Sequence, residues 1–266
     1  MSPTVVRPTA WLSRLRLVRE AIDAHYAPAL LIGLSYMAIT TLWTLYNAYV
    51  PVFLQVDFGL RAAAIGAVMM LDNLLALLVQ PWIGARSDRL RSRWGKRLPY
   101  IVAATPLAAL GFAAIPLAVD AFDGLPGFVA IVMVMLVSMA VMRVPLFALL
   151  PDLTRPERRS TANGIINVLG GVGILIATLG LGWLYRIHRA GPFIVGAALL
   201  VLTTLVLAAM LPRMTQRYAA PEEEQPDVES APNSFLMLLQ VVADNWRGVP
   251  LLLLAILLYT FGINAI

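Results

Sequence analysis

The stretch GARSDRLRSRWGKRLPYI, residues 84–101, carries six cations and one carboxylate within its first fourteen residues. Long apolar segments flank it on both sides. About 20 apolar residues, at about 1.5 Å of rise each, are enough to cross a hydrocarbon core of ~30 Å. A short hydrophilic stretch between two such segments is typical of a loop that joins two membrane-spanning helices.

The composition supports a membrane protein over a soluble one. Hydrophobic residues make up 60% of the chain and charged residues 13%, and the mean hydropathy is +0.79. A soluble domain usually has about a quarter of its residues charged. The net charge of +5 is also compatible with nucleic-acid binding. However, the cations lie in short loops between apolar segments, so we expect no nucleic-acid partner.

The sequence has no features of an enzyme or a metal protein. The absence of cysteine excludes disulfides and thiolate metal sites. We find no nucleophile–base arrangement, phosphate-binding glycine loop or metal-ligand spacing. We therefore expect no catalytic residues, no metal and no cofactor.

The apolar pattern predicts six complete spans and the start of a seventh. Each is expected to be helical, because lipid offers no partners to backbone N–H and C=O groups. The predicted spans are 28–50, 61–83, 99–119, 127–150, 163–184 and 191–211, followed by 250–266.

The distribution of lysine and arginine predicts the orientation. Of the 20 cations, 16 lie in the N-terminal tail and in the loops on the same side, three lie on the other side, and Arg143 lies within a span. Cytoplasmic loops carry the excess of positive charge. We therefore expect a multi-pass protein of the cell (inner) membrane with its N-terminus in the cytoplasm.

The same pattern predicts the domain organisation. Residues 1–27 form a cytoplasmic segment, 28–212 a six-helix bundle, 213–247 a linker and 248–266 the start of a truncated seventh helix. The linker is acidic and contains proline, which is typical of disordered segments. Six spans, a linker and a further span are how a 6+6 transporter begins. We therefore expect the chain to be one half of such a protein, with the C-terminal half as its missing partner.

Two loops resemble those of a known family. GARSDR (84–89) followed by GKR (95–97) resembles the second-to-third loop of the major facilitator superfamily, G-x-x-x-D-R-x-G-R-R. The inserted LRSRW and the following LPYI are similar to the glycoside–pentoside–hexuronide cation symporters and the sucrose transporters. The segment ALLPDLTRPERRSTANG, 148–164, resembles the A-L-x-x-D-L loop of those sucrose transporters. The resemblance implies an all-α membrane protein with a 6+6 fold, which transports a sugar or glycoside by alternating access.

The resemblance also implies a role for the charged loop, which in the superfamily helps to latch the two halves on the cytoplasmic side. The residues that it assigns to this gate are Gly84, Asp88, Arg89, Gly95, Lys96, Arg97 and Asp152. From the residues alone, Gly84 would let the chain leave the second helix at a close backbone approach. Asp88 would either cap a helix or pair with Arg97. Positive-inside anchoring alone remains the alternative.

Two ionisable residues lie within the predicted spans. Asp72 is near the middle of the second span, where a carboxylate costs about 2.5–3.5 kcal/mol on insertion scales, and a carboxylate held away from water takes up a proton more readily. We predict that Asp72 and Arg143 form the proton-coupling site, with Asp72 as the group that takes up the proton; the alternative for Asp72 is a neutral or hydrogen-bonded residue at a helix contact. Arg143, ~10 Å from the cytoplasmic end, either snorkels to the interface, pairs with Asp72 or donates to a substrate hydroxyl.

This chain departs from the resembling families at two places, one of which bears on Arg143 and the other on the coupling ion. The sucrose transporters place an arginine where this chain has Phe147, one turn after Arg143. Melibiose-type members carry two aspartates in the second span, at the positions of Ala76 and Gln80. The resemblance therefore favours protons over sodium as the coupling ion.

Candidate substrate residues lie mainly in the first span. Tyr36, Thr40, Trp43 and Asn47 follow one helical face, and aromatic rings with polar side chains suit a sugar. Asn73 and Gln80 of the second span complete the predicted sugar site. Helix packing is the alternative for the stripe in the first span.

The fifth span carries two features that we assign to helix packing. Asn163 and Asn167 share a face; they would either line the cavity or bridge helices, and we favour the packing role for both. Gly173 and Ala177 predict a close helix approach.

Two other functions stay open at this point. One is efflux of a drug or another metabolite by a transporter of the same superfamily. The other is a half-length membrane protein that assembles with or regulates a partner without transporting anything itself.

Overall fold

The structure is a computed structural model that describes residues 26–90, 92–121 and 124–218. The described residues are almost entirely helical and contain no strand. The predicted seventh span, most of the predicted linker and nearly all of the N-terminal segment lie outside the described residues.

Eight α-helices form the six crossings. They are α1 (Ala27–Val56), α2 (Ala62–Met69), α3 (Leu71–Arg89), α4 (Leu98–Ala121), α5 (Leu125–Leu153), α6 (Arg159–Leu175), α7 (Gly182–Ile187) and α8 (Gly191–Tyr218). The second crossing consists of α2 and α3. The fifth consists of a 3₁₀ turn (Pro156–Arg158), α6, a π-helical turn (Ile176–Leu181) and α7. All six are long and apolar enough to cross a membrane, so the six predicted spans and the all-α fold class are confirmed.

Proline marks helix starts and is also tolerated inside the helices. Pro28 and Pro126 lie in the first turns of α1 and α5, where the missing N–H costs no hydrogen bond. Internal prolines are common in membrane helices, because neighbouring helices and hydroxyl side chains satisfy the freed carbonyls. The internal prolines are Pro51, Pro81, Pro106, Pro116, Pro145, Pro151 and Pro212.

The second crossing is longer than the sequence predicts. Its helix continues beyond the predicted end at residue 83 to Arg89. The prediction that Gly84 lets the chain leave the helix is therefore wrong. A Cβ at Gly84 would meet only Val144, at an ordinary 3.7 Å, so no close approach requires a glycine there. Hydropathy ends a span where polar residues begin, whereas backbone hydrogen bonding continues into water.

The core lies between α1, α4, α5 and α8, with α6 packed along α1. A cluster of buried aromatic rings fills the half of the bundle that contains the end of α1. Its members are Phe53, Phe112, Phe128 and Phe193. Aromatic pairs contribute about 0.5–1.5 kcal/mol beyond the area that they bury, so this cluster holds four crossings together.

Glycines bring α6 against α1. The Thr40 hydroxyl donates to the Gly170 carbonyl at 2.9 Å, and the Thr41 hydroxyl donates to the Gly173 carbonyl at 3.0 Å. Gly173 and Ala177 are both buried, so the predicted close approach is confirmed. Because glycine has no side chain, the two backbones come close enough for a threonine to reach across.

The two asparagines of α6 do not bridge helices. Asn163 and Asn167 are both exposed, and neither makes a side-chain hydrogen bond within the described part of the chain. The predicted packing role is therefore wrong. The spacing correctly predicted that the two asparagines share a face of α6. The face that packs on α1, however, is the one that carries Gly170 and Gly173.

Candidate functional site

A cavity of about 80 Å³ lies between α1, α3 and α5. It brings together residues that are far apart in the sequence and that come from three crossings. Its lining is Ile39 and Trp43 from α1, Asp72, Asn73, Ala76 and Gln80 from α3, and Leu136, Met139, Ala140 and Arg143 from α5. Both ionisable residues of the predicted spans therefore face one cavity.

Asp72 lies in the first turn of α3, directly after the interruption at Met70. It is about 15 Å along the second crossing from Ala62, near the middle of a hydrocarbon core of ~30 Å. Its Oδ1 accepts a hydrogen bond from the backbone N–H of Asn73. The first N–H groups of a helix have no partner within the helix, so this turn offers the carboxylate a donor. Asp72 forms no ion pair with any residue that the structure describes.

Arg143 is further from the end of its helix than the sequence predicts. Because α5 continues to Leu153, Arg143 is about 15 Å from the end of its helix, compared with the predicted ~10 Å. Its guanidinium carbon is 5.9 Å from the centre of the Phe147 ring, within the range of a cation–π contact. In the described residues it makes no ion pair, with Asp72 or any other carboxylate. The cavity therefore holds a carboxylate and a guanidinium that are near each other and unpaired.

The predicted sugar-binding residues separate into two groups. Trp43, Asn73 and Gln80 line the cavity with the two charges. Tyr36 and Thr40 lie at helix contacts instead. The Tyr36 ring meets Phe147 edge-on with 4.9 Å between centroids, and Thr40 is bonded to Gly170.

Asn47 is exposed, and its Nδ2 donates to the Trp43 carbonyl at 2.8 Å. The helical stripe in the first span therefore supplies one cavity residue, Trp43. The other three members of the stripe are elsewhere.

The sequence did not single out the apolar wall of the cavity. Met139 and Ala140 precede Arg143 by four and three residues, so they share its face of α5. That spacing was the one sequence feature that could have placed them beside Arg143. In a helix that is apolar all round, however, it could not distinguish a cavity wall from a lipid contact.

A second cluster lies where α3 joins α4. Arg97 pairs with Asp88, its Nε is 3.2 Å from Asp152 Oδ2, and its Nη1 donates to Ser87 Oγ at 2.8 Å. Its side chain is only 12% exposed. Of the two roles considered for Asp88, the structure shows the pair with Arg97. Through Arg97, the loop after α3 is fastened to the end of α5.

The other predicted gate residues surround this cluster. Gly95 has φ = +85°, a conformation that glycine adopts without strain. Arg89 and Lys96 are exposed and form no ion pair within the described ranges. Of the loop cations that the structure describes, Arg97 is therefore the one that holds the carboxylates.

We expect Arg97→Gln to loosen this loop. The substitution leaves Asp88 and Asp152 without their cation. Because both carboxylates are partly exposed, we expect a loss of about 1 kcal/mol, which is about a fivefold increase in loop opening. The chain has no cysteine, so Ser87→Cys at a buried position can report opening through its rate of maleimide labelling.

Lys96→Gln in the same Ser87→Cys background is the matched control. It removes one positive charge from the same loop but no ion pair. Equal labelling rates for the two variants would show that the Arg97 contacts do not hold the loop.

Comparisons with known proteins find relatives that are named as transport proteins. A sucrose transport protein of Arabidopsis thaliana is 32% identical over 145 residues, which are 49% of this chain and 28% of that protein. The isoprimeverose transporter of Lactiplantibacillus pentosus is 27% identical over 154 residues, 56% of this chain and 32% of that protein. The membrane-associated transporter protein of Homo sapiens is 43% identical over 67 residues, 25% of this chain and 12% of that protein. The chain therefore spans less than a third of the length of each of these relatives.

The family match is broader than any of these pairwise alignments. Residues 31–264 match the family described as MFS/sugar transport protein. The match includes the first crossing from residue 31 onward, the other five crossings, and both loops that carry the resemblance to the major facilitator superfamily. With six apolar helices and a match over most of its length, the chain is a multi-pass membrane protein that belongs to the MFS/sugar transport protein family.

Proposed function

We propose that the chain is the N-terminal half of a secondary active transporter that carries a sugar or glycoside together with protons, by alternating access. The observation that carries the proposal is the cavity between α1, α3 and α5. It combines a carboxylate and a guanidinium, both unpaired among the described residues, with neutral polar side chains, and the carboxylate lies near the middle of the second crossing. A transporter makes and breaks no covalent bond, so the proposal includes no enzymatic activity.

The side chains of the cavity suit a sugar. The Trp43 ring offers a flat apolar face to sugar C–H groups, and the amides of Asn73 and Gln80 offer donors and acceptors to hydroxyls. Arg143 adds charge-assisted donors. The names of the Arabidopsis and Lactiplantibacillus relatives, a sucrose and an isoprimeverose transporter, support the same substrate class.

The size of the cavity supports a two-half arrangement. A volume of about 80 Å³ is well below the roughly 300–1,000 Å³ of small-molecule pockets. Transporter sites of this kind form between two repeats near the midplane. We therefore propose that a second six-helix half supplies the remaining wall.

Asp72 is the proposed proton carrier. It is the one carboxylate among the residues that line the cavity, and no cation neutralises it within the described residues. The melibiose-type aspartate positions are occupied here by Ala76 and Gln80, which also line the cavity. A neutral amide and a methyl group cannot form the carboxylate pair of a sodium site, which favours protons.

The charge distribution supports the orientation. We propose an inner-membrane location with the loop between α3 and α4 and the N-terminus in the cytoplasm. In this orientation, the Arg97 cluster lies at the cytoplasmic end of the transport path.

Uptake of labelled disaccharides and glycosides by cells that express the intact gene tests the proposal. We expect accumulation of at least one of these sugars above its external concentration, and its loss when a protonophore is added. Replacing sodium with choline should leave uptake unchanged. Export of a dye without sugar uptake would instead identify an efflux transporter. If cells that express the intact gene transport neither the sugars nor the dye, the protein is a non-transporting partner.

A further inference from the structure

A groove of about 430 Å³ lies along α4 and α5, and it shares no lining residue with the Asp72 cavity. It begins at Leu90, Pro99 and Tyr100, next to the loop between α3 and α4, and extends to Leu107 and Val137. The groove is thus a second concave surface, with one end at the charged loop.

The groove is apolar and opens towards lipid. The hydroxyl of Ser138 on its wall donates to the Val134 carbonyl of its own helix at 2.7 Å, so it is not free for a ligand. Leu107 lies both in the groove and on an exposed leucine stripe of α4 with Leu110 and Leu117. Because the groove shares no lining residue with the cavity that the proposed second half completes, this stripe lies on a face that the second half need not cover and that is apolar enough for hydrocarbon.

Cations lie in the chain next to the end of the groove that is nearest to the loop. The Tyr100 hydroxyl, at the rim, donates to the Arg86 carbonyl at 3.4 Å, which places Arg86 beside the opening. Arg89 directly precedes Leu90. Both arginines are exposed and form no ion pair in the part of the chain that the structure describes, in contrast to Arg97. Arg93 and Lys96, in the loop that connects the two lining residues Leu90 and Pro99, are exposed as well.

Two exposed tryptophans accompany these cations. Trp82 and Trp94 are each more than half exposed, and the guanidinium carbon of Arg86 is 5.2 Å from the centre of the Trp82 ring. Exposed tryptophan on a membrane protein is typical of the level of the lipid headgroups. The cations therefore lie where lipid phosphates are found, directly beside an apolar groove.

We propose that this groove binds an anionic phospholipid, with one acyl chain along α4 and α5 and the phosphate held by Arg86 and Arg89. Basic pockets beside membrane helices bind anionic headgroups, and each cation near the surface strengthens that binding. The cations and the apolar groove together select this occupant. A zwitterionic lipid carries its own cation beside the phosphate and so has no net charge for the arginines to neutralise, and a free anion would leave the groove empty. The inference is independent of the transported substrate.

Lipid retention by the purified chain tests the site. The chain is delipidated in detergent and titrated with dioleoylphosphatidylglycerol or dioleoylphosphatidylcholine, and bound lipid is counted by native mass spectrometry. We expect one phosphatidylglycerol to bind at least tenfold more tightly than phosphatidylcholine. Glycerol 3-phosphate, which has the same phosphate but no acyl chain, should not compete at equal concentration.

Two variants separate the headgroup contacts from the groove. Arg86→Gln with Arg89→Gln should weaken phosphatidylglycerol binding about fivefold for each charge removed. Ala103→Phe, at an exposed position in the groove, should block the acyl chain and reduce the binding of both lipids. The matched controls are Arg155→Gln with Arg158→Gln on another loop, and Leu110→Phe on α4 outside the groove lining.

Three results would overturn the proposal. The first is equal retention of the two lipids. The second is competition by glycerol 3-phosphate, which would show an anion site without a lipid. The third is a loss of binding that is the same in the control variants. A melting curve accompanies each variant. If Ala103→Phe fails to fold, the arginine pair, which is exposed and forms no ion pair with the described residues, keeps the test decisive.

Discussion

Asp72→Asn is expected to abolish accumulation of the sugar against its gradient. Asparagine fills nearly the same volume and keeps an oxygen that can accept from the Asn73 N–H, but it cannot gain or lose a proton. If Asp72 couples proton movement to transport, the ratio of internal to external sugar should fall to about one. Exchange of labelled for unlabelled sugar without a gradient should continue, because this mode requires no net proton movement.

The assay is run on the intact gene, with accumulation and exchange measured in the same membranes. Glu157→Gln is the matched control, since it neutralises an exposed carboxylate outside the cavity. Accumulation that survives in Asp72→Asn would contradict proton coupling at this residue. Loss of both modes would assign Asp72 to substrate binding or to folding rather than to coupling.

Gly173→Ala is expected to have the largest effect on stability among single-methyl changes in α6. A Cβ at this position would overlap the Met37 carbonyl and the Thr40 hydroxyl of α1. The backbone carbonyl has no alternative rotamer, so α6 must move away from α1. That movement also stretches the hydrogen bond from Thr41 to the Gly173 carbonyl. Overpacking of this kind costs about 1–3 kcal/mol.

Gly171→Ala provides a control two residues away. Nothing lies within 4 Å of a Cβ at Gly171, and alanine favours a helix over glycine by up to about 1 kcal/mol. We therefore expect the melting temperature in detergent to fall for Gly173→Ala and to stay equal or rise for Gly171→Ala. Similar melting temperatures for the two variants would mean that the contact between α1 and α6 tolerates separation.

The sequence alone determined where the chain crosses the membrane and which family it belongs to. Hydropathy is a local property, since about 20 consecutive apolar residues must bury their own backbone in a helix whatever surrounds them. The charged loop from Asp88 to Arg97 is also a short stretch of chain, so the order of its charges can be read from the sequence. Helix ends were less well determined, as at Gly84, because helical hydrogen bonding continues past the point where polar residues begin.

Only the tertiary structure decided which side chains face one another. The spacing placed Tyr36, Thr40 and Trp43 on one stripe, yet Thr40 meets the backbone of Gly170 while Trp43 faces Asp72 and Arg143 across a cavity. Crossings that are apolar on nearly every face give no amphipathic signal for how they are rotated. Their rotation is set by packing against neighbouring helices, here by two glycines of α6 that are 130 and 132 residues from their partners in α1. The sequence could therefore identify Asp72 and Arg143 as charged residues within spans, but it could not show that they share a cavity.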